Sequence, residues 1–185
     1  MEAEKKQEYF LKELLFIEDD KVREETMNLI GQLPDYFFEV AASSTGKYHP
    51  DYALGEGGLV RHTKAAVRIA NDLLRLEMFR GLSKIKDVII AALLLHDGWK
   101  HGAEYSQWAR ADHPIVAAEK IKELSADKEI GSQIADLILT HMGQWNTDWK
   151  TDKEIMPKPS SKAQSFVHLC DYLASRKFLE FNFEA

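Results

Sequence analysis

Five side chains combine metal-binding chemistry with positions that helical periodicity turns inward. His62 opens an apolar stripe, with Ala66, Ile69 and Leu73 following at i+4, i+7 and i+11, so a helix through this segment points its imidazole at the core. His141 ends a second stripe built by Ile134, Leu137 and Ile138, and Asp171 lies in a third with Val167, Ala174 and Phe178. His96 and Asp97 close the most hydrophobic stretch, where Ala91-Ala92-Leu93-Leu94-Leu95 runs directly into them. A buried ionised carboxylate is costly unless it is paired or binds a metal. Taken singly, each His reads as a hydrogen-bonded core residue and each Asp as a partner for Arg or Lys. Inward groups on separate helices of a small protein can also converge, and converging imidazoles and carboxylates are of the types that can hold a metal. Cys170 is the single cysteine, which excludes an internal disulfide and a cysteine-based zinc framework, so any metal must be held by His and carboxylate.

The elements that must position these groups are helices, since apolar residues recur at three- and four-residue steps with no run of alternation that argues for a sheet. An amphipathic segment is predicted over residues 3–17, with Phe10, Leu14 and Ile17 on its apolar face. Asp19-Asp20 starts a second helix carrying Val22, Met27, Leu29 and Ile30, which stops at Gly31-Gln32-Leu33-Pro34. A short piece over 36–42 and a Gly- and Ser-rich loop over 43–58 precede helices at 59–78, 85–96, 114–124, 128–141 and 162–178. A second loop, 143–161, is broken by Pro157 and Pro159. The expectation is an all-α chain forming one domain over 1–185: a helical extension (1–42), a loop (43–58) and a helical core (59–178).

Composition sets the outer limits. A chain of 185 residues with 45% hydrophobic and 29% charged side chains has apolar material for a continuous core and is not intrinsically disordered. The net charge of -6 weighs against wrapping duplex DNA non-specifically, which depends on Lys and Arg displacing counterions from phosphates. The longest apolar run, 88–95, is far below the roughly 20 residues that cross a bilayer. The charged start, Met1-Glu2-Ala3-Glu4-Lys5-Lys6, lacks the apolar stretch of a secretion signal, and a cytoplasmic location is expected.

The order His62, His96-Asp97, His113, His141, Asp171 resembles that of the HD-domain superfamily of metal-dependent phosphohydrolases, over about residues 57–177. The resemblance implies a compact helical bundle with a dinuclear site. In it, His62, His96, Asp97 and Asp171 hold one ion, and Asp97 bridges to a second on His113 and His141. Imidazole and carboxylate suit two divalent ions among Mn, Fe, Co, Ni and Zn. Such a pair can generate hydroxide from shared water and stabilise a phosphoryl centre under in-line attack. Lys100 resembles the basic residue that often follows the His-Asp pair, and is assigned to electrostatic stabilisation of the phosphate, the alternative being a surface lysine.

Further contacts are expected around that centre. Ser43 to Pro50, with Lys47 and Tyr48, leads through Gly55, Gly57 and Gly58 to Arg61, and reads either as an anion cradle made of backbone amides or as a structural turn. Trp145 and Trp149, with Gln144 and Asn146, read as a nucleobase stack or as core caps. His49 and His168 show no partner pattern, His101 reads as a surface residue, and Cys170 as small core. The function these readings favour is hydrolysis of a phosphomonoester or phosphodiester, in a nucleotide or short oligonucleotide. The same ligands also suit a di-iron oxygenase, and a third alternative is a non-catalytic regulatory or binding module.

Overall fold

The structure, a computed structural model, describes residues 1–43, 45–47, 49–148 and 151–178. It is all-helical: among the described residues there is no strand, only an isolated antiparallel bridge between Thr147 and Glu154. Three N-terminal helices, α1 (Ala3–Glu8), α2 (Leu11–Leu14) and α3 (Asp20–Gly31), are followed by 3-10 turns at Asp35–Phe38 and Asp51–Ala53. Then come α4 (Gly58–Leu73), a 3-10 stretch (Glu77–Ile85), α5 (Lys86–Leu95), α6 (His113–Leu124), α7 (Lys128–Ile138) and α8 (Lys162–Ala174).

Everything is arranged round α5. Residues 88–95 are apolar on every side, which a helix tolerates only when neighbours cover its whole circumference. They are buried throughout, with α3, α4, α7 and α8 packed against them. Each fully buried Leu or Ile there contributes roughly 1.5–3 kcal/mol. Around this axis α4 lies on α8, and α6 on α7. Local signals start the outer helices where packing needs them. Asp19 accepts the amides of Lys21 and Val22, Asp127 those of Glu129 and Ile130, and Ser161 with Gln164 forms a capping box. Among the described residues no helix is long and apolar enough to cross a membrane.

Four predicted boundaries shift, each for a tertiary reason. The helix expected over 3–17 breaks at Tyr9-Phe10 because its halves serve different partners. Lys6 donates to the Leu33 carbonyl at 2.5 Å and Gln7 to the Met27 carbonyl at 3.0 Å, whereas Phe10 packs on the rings of Phe37 and Phe38. The helix expected to reach residue 78 ends at Leu73, since the chain must turn to lay Phe79 on Phe166, 4.7 Å between ring centroids, and Lys162 on the Met78 carbonyl. The α7 helix stops at Ile138, leaving His141 in the turn beyond. The α8 helix stops at Ala174, whose carbonyl accepts Tyr52 Oη at 2.5 Å, so Phe178 leaves the face of Asp171 and is exposed.

Gly58 begins α4 where the loop presses on it: an added Cβ would lie 2.3 Å from the Ala53 oxygen and 3.1 Å from Ala41 Cα. Gly58→Ala is expected to destabilise by about 2 kcal/mol, lowering Tm by about 4–8 °C in thermal unfolding. Gly81→Ala, whose new carbon would meet nothing within 4 Å, should stay within about 2 °C of the parent. An unchanged Tm for Gly58→Ala would show that the loop yields freely.

Candidate metal centre

The six ordered residues come from five places in the chain and meet behind the C-terminal end of α5. His62 lies on the second turn of α4, His96 caps α5 and Asp97 follows it, His113 opens α6, His141 sits in the turn after α7, and Asp171 lies on α8. The four histidines and Asp97 are buried, while the Asp171 side chain keeps 18% of its surface. That edge of Asp171, with Lys100, marks the side of the centre that reaches solvent.

Asp97 stands in the middle. Its Oδ2 faces His62 Nε2 at 3.8 Å and His96 Nε2 at 3.5 Å, and its Oδ1 faces His113 Nε2 at 3.0 Å and His141 Nε2 at 3.7 Å. Asp171 Oδ1 closes the first pair, 3.0 Å from His62 Nε2 and 3.6 Å from His96 Nε2. Two buried triads thus share one carboxylate, His62-His96-Asp97 and Asp97-His113-His141, each with its ligand atoms within 4.8 Å of one another.

The backbone fixes the tautomers. Nδ1 of His96, His113 and His141 lies 2.7, 2.7 and 2.8 Å from the carbonyls of Leu93, Arg110 and Ile138, each three residues earlier. A carbonyl only accepts, so each Nδ1 carries hydrogen and each neutral ring turns the lone pair of Nε2 inward. The Nε2 atoms of His113 and His141 are then 3.0 Å apart, and that of His96 is buried without a partner. Lone pairs and carboxylate oxygens this close repel unless a cation lies among them. A divalent metal satisfies all of them together, and the donor set fits one.

The charge balance points the same way. Lys100 Nζ pairs with Asp97 Oδ2 at 2.6 Å, so the two carboxylates outnumber the one ammonium. Burial would raise the carboxyl of Asp97, but Lys100 and His96 outweigh it and hold the group well below the usual carboxylate range. For Asp171, too, burial acts upward, and His62 and His96 outweigh it. His113 is lowered, burial prevailing over the pull of Asp97.

Around the six, the sequence-derived contacts divide. Lys100 is at the centre, although α5 ends before it; successive turns bring it back onto Asp97. Arg61 reaches back to the loop. Its Nε donates to the Tyr52 carbonyl and its Nη2 to those of Leu54 and Glu56, so the guanidinium is committed to holding the loop. Among the described residues of that loop, the amide of Gly46 donates to Ser43 Oγ, that of Lys47 to Thr45 Oγ1, and those of Gly57 and Leu59 to the carbonyls of Glu39 and Val40, so these four are engaged within the protein. Lys47 is exposed, and Tyr48 and Trp149 lie outside the described residues. Trp145 is 45% exposed and stacks on Tyr172, with centroids 5.6 Å apart and planes at 19°. A surface cleft of about 400 Å³ lined by Lys12, Leu15, Phe16, Arg68, Asn71 and Asp72 shares no residue with the centre.

The structure corrects one histidine reading and places another histidine for which the sequence shows no partner pattern. His101 is buried, its Nδ1 2.6 Å from the Ser106 carbonyl and its ring against Tyr36 and Tyr105; only the folded turn supplies these partners. His49 lies beside His62, ring centroids 5.3 Å apart, and burial, then His62 and Lys100, push its pKa down to about 3. It belongs to no apolar stripe, so periodicity carries no signal for it.

Comparison with known proteins finds no match among curated proteins or solved structures. Among family models, the one described as HD domain matches residues 59–176. That span runs from the first turn of α4 to just past α8 and takes in all six converging residues, and on this match the chain belongs to the HD domain family.

Proposed function

We propose that the protein is a dinuclear metal-dependent phosphohydrolase acting on a phosphomonoester or phosphodiester, with a nucleotide or short oligonucleotide as substrate. The observation that carries this reading is the setting of Asp97, one carboxylate oxygen toward each pair of imidazoles. His62, His96, Asp97 and Asp171 would hold one divalent ion, and His113 and His141, with Asp97 shared, the other. Bound there, such ions supply Lewis acidity toward a phosphoryl oxygen and lower the pKa of water to near neutrality.

The chain's own groups do the rest. The carbonyls of Leu93, Arg110 and Ile138 keep three rings in the ligating tautomer. Lys100, with 14% of its side chain exposed, sets a positive charge beside Asp97 on the side that reaches solvent. There it stabilises charge developing on the non-bridging oxygens of an attacked phosphoryl group. Its presence favours an anionic substrate. Trp145, backed by Tyr172 next to Asp171, offers a partly exposed ring on which a base can stack.

Metal content by mass spectrometry on protein purified without chelator should give about two transition-metal ions per chain, the count of a two-metal site. Asp97→Asn should retain neither ion, and His141→Ala about one, as its place in a single triad requires; full occupancy in Asp97→Asn would remove the bridging role. Lys100→Met should keep its metals while kcat falls about 100-fold, the scale of losing one charge-stabilising donor. Metal loss in that variant would make Lys100 structural instead. Trp145→Ala should raise KM for a nucleotide about tenfold and leave a small aryl phosphate unaffected, as expected for one lost stack; equal losses on both substrates would argue against stacking.

A further inference from the structure

The loop ahead of α4 delivers to the centre a side chain that the ligand set leaves out. His49 meets His62 edge to face, with centroids 5.3 Å apart and planes at 63°. Its Nδ1 is buried and has no hydrogen-bond partner, although the ring as a whole keeps some contact with solvent. A buried ring nitrogen without a partner is destabilising, and native proteins retain such a group where something else completes it.

The backbone holds this ring in place. Pro50 restricts the residue before it to extended conformations. The Ala53 amide donates to the Pro50 carbonyl, the Ala42 amide to that of Ala53, and Arg61 clamps Tyr52, Leu54 and Glu56. His49 is therefore presented on a fixed frame. It is in neither ligand triad, yet it lies within electrostatic range of His62, Lys100, Asp171 and Asp97 together. Lys100 and Asp171 are the members of that group that keep solvent exposure. The ring packed on His62 thus lies on the His62 side of the centre.

We propose that His49 is a substrate-binding residue, hydrogen-bonding an oxygen of the phosphoryl group from the His62 side of the centre while Lys100 neutralises its charge. This rests on the phosphohydrolase reading and adds to it a contact outside the metal ligands. The role suits a tetrahedral phosphoryl group, which presents oxygens in several directions at once and could meet His49, Lys100 and a bound metal together.

The test uses the metal-loaded full chain, with metal content measured on every sample and inorganic phosphate titrated by calorimetry. His49→Ala should keep the metal content of the parent and bind phosphate about tenfold more weakly, the scale of one hydrogen bond to a charged group. His49→Gln, which can still donate, should recover part of that loss. Undiminished phosphate affinity in His49→Ala overturns the proposal and leaves the phosphohydrolase reading standing. Loss of metal in both variants also overturns it, making His49 a support of the His62 site. A parent protein that holds its metals and binds no phosphate overturns both readings together.

Discussion

The constraint on which the rest depends is a carboxylate in a place that disfavours it. Asp97 is 2% exposed and stands two residues beyond the end of α5, where orphan carbonyls and the helix dipole concentrate negative charge. Taking such an ion out of water carries an effective cost of several kcal/mol. Lys100 compensates one charge, but Asp171 brings a second carboxylate into the same cluster. Among the surrounding imidazoles, Asp97 and Asp171 push His96 toward its charged form against burial, and rings that stay neutral add only lone pairs. The packing that buries these carboxylates also sets the donor atoms that could hold a metal around them.

Helix ends do most of that shaping. The last carbonyls of α5 and α7 lie past the helical ladder, and two of them, Leu93 and Ile138, take the Nδ1 hydrogens of His96 and His141, Ile138 accepting the His141 amide as well. At Leu93 one hydrogen bond thus satisfies a terminal acceptor and sets a tautomer. The N-terminal segment contributes from behind. A Cβ at Gly98 would lie 2.5 Å from Leu33 Cδ2, so the turn after Asp97 packs directly on that segment. Tyr36 Oη donates to the Gly102 carbonyl at 2.7 Å. The first third of the chain therefore buttresses the turn that carries Asp97 and Lys100, although it supplies no candidate ligand.

Rigid ligands deep inside and polar groups on one open side divide the labour of the site. Interior rings are fixed by backbone acceptors, so in the proposed reaction no substrate is needed to order them and the reorganisation cost is low. The proposed substrate contacts, His49, Lys100 and Trp145, come from three separate segments at the periphery.

Much of this was legible in the sequence, because periodicity reports burial and burial makes a polar residue conspicuous. The all-helical class, the all-apolar helix running into His96-Asp97, and the inward settings of His62 and Asp171 follow from apolar spacing alone. The ordered set of six, His113 included, rested on family resemblance. What only the tertiary structure decided are the facts that no local pattern encodes. The helix expected over 3–17 broke because Lys6 and Phe10 found different partners. Arg61 clamps the loop because three carbonyls come within its reach. His49 sits on a loop, where no helical or strand period applies, and its place beside His62 depends on a backbone held by bonds between residues far from it in type and pattern. Sequence spacing fixes which face a residue takes on its own element; which atoms it meets there depends on how the elements pack.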